Sequence, residues 1–337
     1  MKKTLIAVAA LSAMAASAMA ANVTVYGKID QAIQIQTQKE DGGDRATTWK
    51  GVSGISSGNR WGLKGTEEIA DGYTVGFVLE SGFDGMDGTG VKDSKIFNRD
   101  AFLTLGTPFG SLTVGRTGLL SDGCTGDIVS GPASPFGTSY KLASATTNAF
   151  VGLGETRTDR AIRYVSPKFS GVQFHAEYAN MNGEETASTK KRYGGVGVSY
   201  ANGPFYAAVA AETIKQPAGA EAEDPQIYSI SANYNFGVAK VFGGYQYAKD
   251  SVWGGEKLNA GTLGVSAPVA GGTVMASVAY AKGDNDHKLT TGAIGYKYSL
   301  SKRTYLYTDL AYAQEDKAIT KVTTKTTQFN LGLCHSF

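Results

Sequence analysis

Beyond its first twenty residues this chain has no run approaching the roughly 20 continuous apolar residues of a transmembrane helix, so any bilayer crossing must be made by strands. Cysteine is scarce. Cys124 and Cys334 are too few for a disulfide framework and lack metal-ligand spacing. An oxidising compartment would permit a bridge between them, but two free thiols is the expectation. The three histidines, His175, His287 and His335, are widely separated, with the spacing of neither a zinc pair nor a catalytic pair. Gly54-Ile-Ser-Ser-Gly58 fits the pattern of a hydrolase nucleophile elbow, yet it sits in a Ser/Gly-rich stretch with no strand-to-helix turn or nearby partners. No catalysis, metal or cofactor is expected. Net charge is slight: +2 overall, and about zero once Lys2 and Lys3 leave with a leader, which excludes the basic surplus of a nucleic-acid partner. Proline is rare as well, eight against 44 glycines and 18 tyrosines, a balance that suits twisted strands and tight turns.

What is present is concentrated first at the two ends. Phe329, Leu331, Leu333, His335 and Phe337 fall on one face of an extended segment, and Gln328, Asn330, Gly332, Cys334 and Ser336 on the other. One greasy face, one polar face and a terminal aromatic suit a closed barrel with lipid outside and water inside. At the other end, Lys2 and Lys3 precede a short apolar run, 5–16, and then Ser17-Ala-Met-Ala20. That is the layout of a secretory signal peptide, residues 1–20, leaving a mature domain of residues 21–337.

Between the ends, seven short turn signals alternate with long polar connections. The turns lie at residues 69–72, 106–110, 166–171, 201–204, 235–237, 267–272 and 299–302. The long connections centre near 35–58, 82–96, 117–156, 180–191, 214–225, 249–256, 282–288 and 313–326, and the two sets together join sixteen strands. The even count, with both chain ends on the short-turn side, predicts an all-β, closed antiparallel 16-stranded transmembrane barrel with short periplasmic turns and long outer loops. Tyr73, Phe169, Tyr200, Phe205, Tyr234 and Phe337 beside short turns, and Tyr178, Tyr280 and Tyr312 beside long loops, give two interfacial belts.

The third connection, residues 117–156, is too long for a casual loop. Its apolar and small residues (Leu119, Leu120, Ile128, Val129, Phe136, Phe150 among them) predict a loop folded inward against the wall. Arginines gather around it. Parity points Arg60, Arg157, Arg163 and Lys28 into the lumen, whereas Arg99 and Arg116 share parity with leucines and need a bulge or a place above the bilayer, since arginine facing midplane lipid costs about 2–4 kcal/mol.

Several segments carry a resemblance: Val23-Thr-Val-Tyr-Gly27, Asn59-Arg-Trp-Gly-Leu-Lys-Gly-Thr-Glu67, Asn98-Arg-Asp-Ala-Phe102, Pro108-Phe-Gly-Ser-Leu-Thr-Val-Gly-Arg116, Ile162-Arg-Tyr-Val-Ser-Pro167, Ala232-Asn-Tyr-Asn-Phe-Gly237 and Gly332-Leu-Cys-His-Ser-Phe337. Together they resemble the general porins of β-proteobacteria and neisseriae. The resemblance implies a homotrimer of sixteen-stranded diffusion pores in the Gram-negative outer membrane, each passing small hydrophilic solutes and ions, here with anion preference. A substrate-specific channel and a barrel serving mainly as an adhesin or envelope anchor are the alternatives. It further implies constriction arginines at Arg60, Arg99 and Arg157, with Arg163, Arg116 and Lys28 adding basic charge. Pro135-Phe136-Gly137 resembles the tip of the inward loop, and only Asp122 and Asp127 supply acidic charge in that loop's first half. Phe337 is the expected signal to the outer-membrane assembly machinery, and outer-membrane lipid and lipopolysaccharide are the expected surroundings. The trimer contact is expected near both chain ends, at small outward faces around Gly27 and Ala101, with residues 81–96 reaching a neighbour.

Overall fold

The computed structural model describes residues 23–90, 95–122, 124–181, 191–217, 223–250, 257–317 and 320–337. The expected leader, 1–20, lies outside them, as do parts of six of the expected outer connections. The strands β1 (Thr24–Glu40), β2 (Arg45–Ser53), β3 (Arg60–Ala70), β4 (Tyr73–Gly82), β5 (Asp100–Thr107) and β6 (Gly110–Gly118) precede a long segment that turns inward. After it come β7 (Arg157–Val165), β8 (Val172–Asn180), β9 (Arg192–Asn202), β10 (Phe205–Lys215), β11 (Gln226–Asn235) and β12 (Lys240–Lys249). The chain finishes with β13 (Lys257–Val269), β14 (Gly272–Gly283), β15 (Lys288–Ser299), β16 (Thr304–Asp316) and β17 (Thr323–Ser336).

Every neighbouring pair is antiparallel, and β1 closes the sheet on β17 from Lys28 opposite Ser336 to Glu40 opposite Thr324. Closure removes the free edge that lipid could not satisfy. Seventeen strands make sixteen places in the wall, because β2 and β3 share one. β2 pairs with β1 over Gln31–Lys39 and β3 pairs with it over Thr24–Lys28. Gly54, at φ +70°, starts the break between them. All seven short turns fall where the sequence placed them. The first long connection does not: of residues 35–58, most continue β1 and β2 as a hairpin. Beyond the outward pair Ile35 and Trp49 its side chains are mostly polar on both faces, since a hairpin standing above the lipid needs no apolar stripe, so the period-2 signal fades while the backbone pairing continues.

Alternation divides the wall cleanly. Leu331, Leu333, Phe174, Tyr228 and Ile230 are exposed on the outer face, while Gln328, Asn330, Cys334, Glu177, Ser229 and Ser231 are buried on the inner one. Across the closing seam Gln34 donates to Asn330 at 3.0 Å and Asn330 donates to Asp309 at 2.8 Å. These three inward side chains are thus paired with one another across the seam, which offsets the cost of burying their polar groups. Phe337 completes the seam: its N–H and carbonyl exchange 3.1 Å bonds with Gly27. A Cβ at Gly27 would fall 2.2 Å from the Phe337 ring, so the outward face expected to be open there is covered by the chain's own terminus. Both cysteines are free thiols.

Candidate functional site

The described residues between β6 and β7, 119–122 and 124–156, fold into the barrel. Their apolar side chains drive this, for Leu119, Leu120, Val129, Ala133, Phe136, Tyr140 and Val151 are all buried. Each large one removed from water contributes about 1.5–3 kcal/mol. The segment forms short 3-10 turns at Gly131–Ala133 and Lys141–Ala143, then a five-residue helix, α1 (Ala145–Ala149), capped by the Ser144 hydroxyl.

The wall offers the segment a bed of lumen-facing glycines. A Cβ at Gly197 would lie 2.6 Å from Ile128, at Gly244 2.8 Å from Ala133, at Gly264 2.4 Å from Pro135 and at Gly295 2.7 Å from Phe136. These positions step from β9 through β12 and β13 to β15, tracing the path of the loop around the barrel. Polar ties fix it. The Leu120 N–H donates to Glu212 at 3.0 Å, Tyr206 donates to the Ile128 carbonyl at 2.7 Å, Asn233 to Pro132 at 2.9 Å, and Ser277 to Ala143 at 3.0 Å. At the tip, Phe136, Tyr140 and Tyr307 pack edge to face at 5.2 and 5.4 Å, and Tyr307 donates to Asp30 at 2.5 Å.

Pinned in this way, the loop leaves a narrow polar cavity against the opposite wall. Arg60, Arg99 and Arg157 line it from β3, from the residue before β5 and from β7. Arg60 donates to the Gly58 carbonyl at 3.0 Å and the Ser57 hydroxyl at 2.9 Å. Glu80 is shared between Arg99, which it binds through Nε, and Arg60 at 3.9 Å. Arg157 Nε stands 3.7 Å from Asp100. The loop contributes Asp122 and Lys141 to the same cavity, with Ser121, Cys124, Thr146 and Thr147. Burial first, then Glu212 and Asp127, push the Asp122 carboxyl up to about 7, while Arg157 pulls it down. Glu155, also in the lining, is held by Lys191 at 2.9 Å.

The remaining sequence candidates lie apart from this cavity. Arg163 is buried behind the loop, paired with Glu177 and donating to the Thr125 carbonyl at 2.9 Å. Arg116 sits at a register shift between Gly115 and Thr117 and pairs with Asp159 at 2.6 Å. Lys28 shares the lumen face of β1 with Asp30. Asp127 accepts from the N–H groups of Val129, Ser130 and Gly131 at 3.0, 2.9 and 2.7 Å, organising the first turn. Pro135 and Phe136 lie on the wall rather than in the lining, and Gly137 accepts from Ser144 at 2.6 Å. Sequence reasoning missed Glu80, Asp100, Glu155 and Lys141. Lys141 had a signal, being the only basic residue between 117 and 156.

Comparison with known proteins agrees with this architecture. The family model described as Gram-negative porin matches residues 7–318. Outer membrane porin protein 32 of Delftia acidovorans is 35% identical over 95% of this chain and 92% of its own length. An outer membrane porin of Bordetella pertussis is 29% identical over the full length of both. Among solved structures, the anion-selective porin from Comamonas acidovorans superposes with a TM-score of 0.73 at 27% identity, covering 94% of this chain and 100% of that one. The relatives are channels, not enzymes. A closed barrel with lipid-facing apolar and lumen-facing polar residues, a loop pinned across it, and matches spanning nearly its whole length establish that this chain belongs to the Gram-negative porin family, an outer-membrane channel.

Proposed function

We propose that this porin passes small hydrophilic solutes by passive diffusion and prefers anions. The observation that carries the reading is the convergence of Arg60, Arg99, Arg157 and Lys141 on one narrow cavity. The carboxylates among its lining residues are Asp122, whose ionisation is held back to about pH 7, and Glu155, already engaged by Lys191. Glu80 and Asp100 offset part of the arginine charge from the wall behind, so a positive surplus remains where water is scarcest. The Debye length is about 8 Å at physiological salt, comparable with the radius of a narrow pore, and such a ring therefore biases every passing ion. The name given to the Comamonas acidovorans relative supports the same preference.

The working form we propose is a homotrimer of the mature domain 21–337, released from its leader and inserted in a lipid and lipopolysaccharide bilayer with Phe337 as the assembly signal. The reversal potential of the reconstituted channel in a KCl gradient tests the reading: a value on the chloride side supports it, and a value on the potassium side defeats it.

A further inference from the structure

Below the constriction, toward the short-turn end of the barrel, three lysines each stand over an aromatic ring. Lys64 Nζ lies 5.0 Å from the ring centre of Tyr26, Lys240 4.9 Å from Phe242 and Lys297 5.3 Å from Tyr305. All three face the lumen. Lys64 shares parity with Arg60, Lys240 with the buried Phe242, and Lys297 sits opposite the buried Tyr307.

Their height follows from the strands. Lys64 is four residues from Arg60 along β3, about 13 Å nearer the short turns. Lys240 opens β12 and Lys297 is the third residue from the end of β15. The loop tip gives an independent level. Phe136 rests over Gly295, and Pro135 over Gly264, which is paired with Phe242. Lys297 and Lys240 are the next lumen-facing positions beyond those contacts. Among the described residues none of the three lysines has a carboxylate within the 4.0 Å of an ion pair, whereas Arg60, Arg99 and Arg157 all do. Stacking on a ring fixes an ammonium without neutralising it.

We infer that Lys64, Lys240 and Lys297 form a second anion-attracting tier on the short-turn side of the constriction, which makes the selectivity of the channel depend on the direction of the salt gradient. The inference rests on the anion-preferring reading of the constriction. A fixed charge acts across a lumen only as far as the local salt allows, about 10 Å at 0.1 M and about 3 Å at 1 M. Dilute salt on the short-turn side leaves the lysine tier unscreened, and concentrated salt there silences it.

The test is the chloride-to-potassium permeability ratio of the full-length reconstituted porin in a roughly tenfold KCl gradient applied in both directions. Orientation is read from streptavidin binding to a biotin acceptor peptide inserted between Gly42 and Gly43, in the hairpin joining β1 and β2. The expected ratio is about twofold higher with dilute salt on the short-turn side. The variant carrying K64Q, K240Q and K297Q brings the two directions together and keeps the anion preference. The single variant K240Q gives a smaller change of the same sign should the triple variant assemble poorly. Equal wild-type ratios in both directions, or a directional difference that survives in K240Q at full size, overturn the lysine tier. A wild-type channel preferring potassium in both directions defeats the underlying constriction reading instead.

Discussion

Asp122 is the residue through which pH enters the constriction. Burial and the neighbouring Glu212 and Asp127 raise its carboxyl to about 7, and Arg157 alone among its named neighbours opposes them. Below that pH the group is neutral and the basic cluster is unopposed. Above it, one negative charge appears beside Arg157 and cancels part of the surplus. Anion preference should therefore weaken as pH rises from about 6 to 8, and D122N should hold the acid-side preference throughout. Reversal potentials taken across that range check the sign, and a preference that strengthens with pH rules out this assignment. Lys141 faces the same space, with burial and the nearby Lys50 lowering its ammonium, and K141Q should reduce the preference without changing the loop's anchorage.

The inward loop owes its position to a shape match as much as to its own apolar residues. Gly264 and Gly295 give the tip room, and a side chain at either position meets the Pro135 or Phe136 ring at contact distances no real Cβ tolerates. G264V should lift the tip, costing about 1–3 kcal/mol of packing, and should appear as a larger, noisier single-channel conductance with the barrel intact. An unchanged conductance would show that the tip does not bear on the wall. F136A should act in the same direction by removing about 3–5 kcal/mol of buried contact. The loop's inward fold was legible because residues such as Leu119, Leu120 and Phe136 have no business in a solvated tip. Its glycine bed was not, since a lumen glycine and a turn glycine look alike in a sequence. Arg60 could be placed by parity alone, whereas Arg157 lies beyond a register shift in β7, with Arg160 at φ +54°, that breaks its alternation with Arg163. Arg99 escaped parity because it precedes β5, and Arg116 because a register shift intervenes. The β1–β2 hairpin was hidden for the reason given by its chemistry: outside the lipid, strand pairing leaves no apolar period to read.

The molecule as a whole is held by closure, and the last residue takes part in it. Phe337 exchanges two backbone hydrogen bonds with Gly27 and lays its ring on that glycine. A Phe337→Asp variant loses the ring and sets a carboxylate at the membrane interface, so outer-membrane levels should fall severalfold while the few assembled channels keep their selectivity. Quantitative surface labelling checks this, and wild-type surface levels would contradict it. Unheated gel migration of the purified porin should correspond to a trimer, and migration as a monomer would contradict that reading.

The central claim is that Arg60, Arg99 and Arg157, brought onto one cavity from β3, from the residue before β5 and from β7, set the charge preference of the channel. It is tested most directly by the reversal potential of the variant R60Q/R99Q/R157Q beside the wild type in the same KCl gradient. The expected result is a clear shift toward potassium in the triple variant, shrinking as salt rises and the Debye length falls below about 8 Å. A reversal potential unchanged by the loss of all three guanidinium groups would contradict the account.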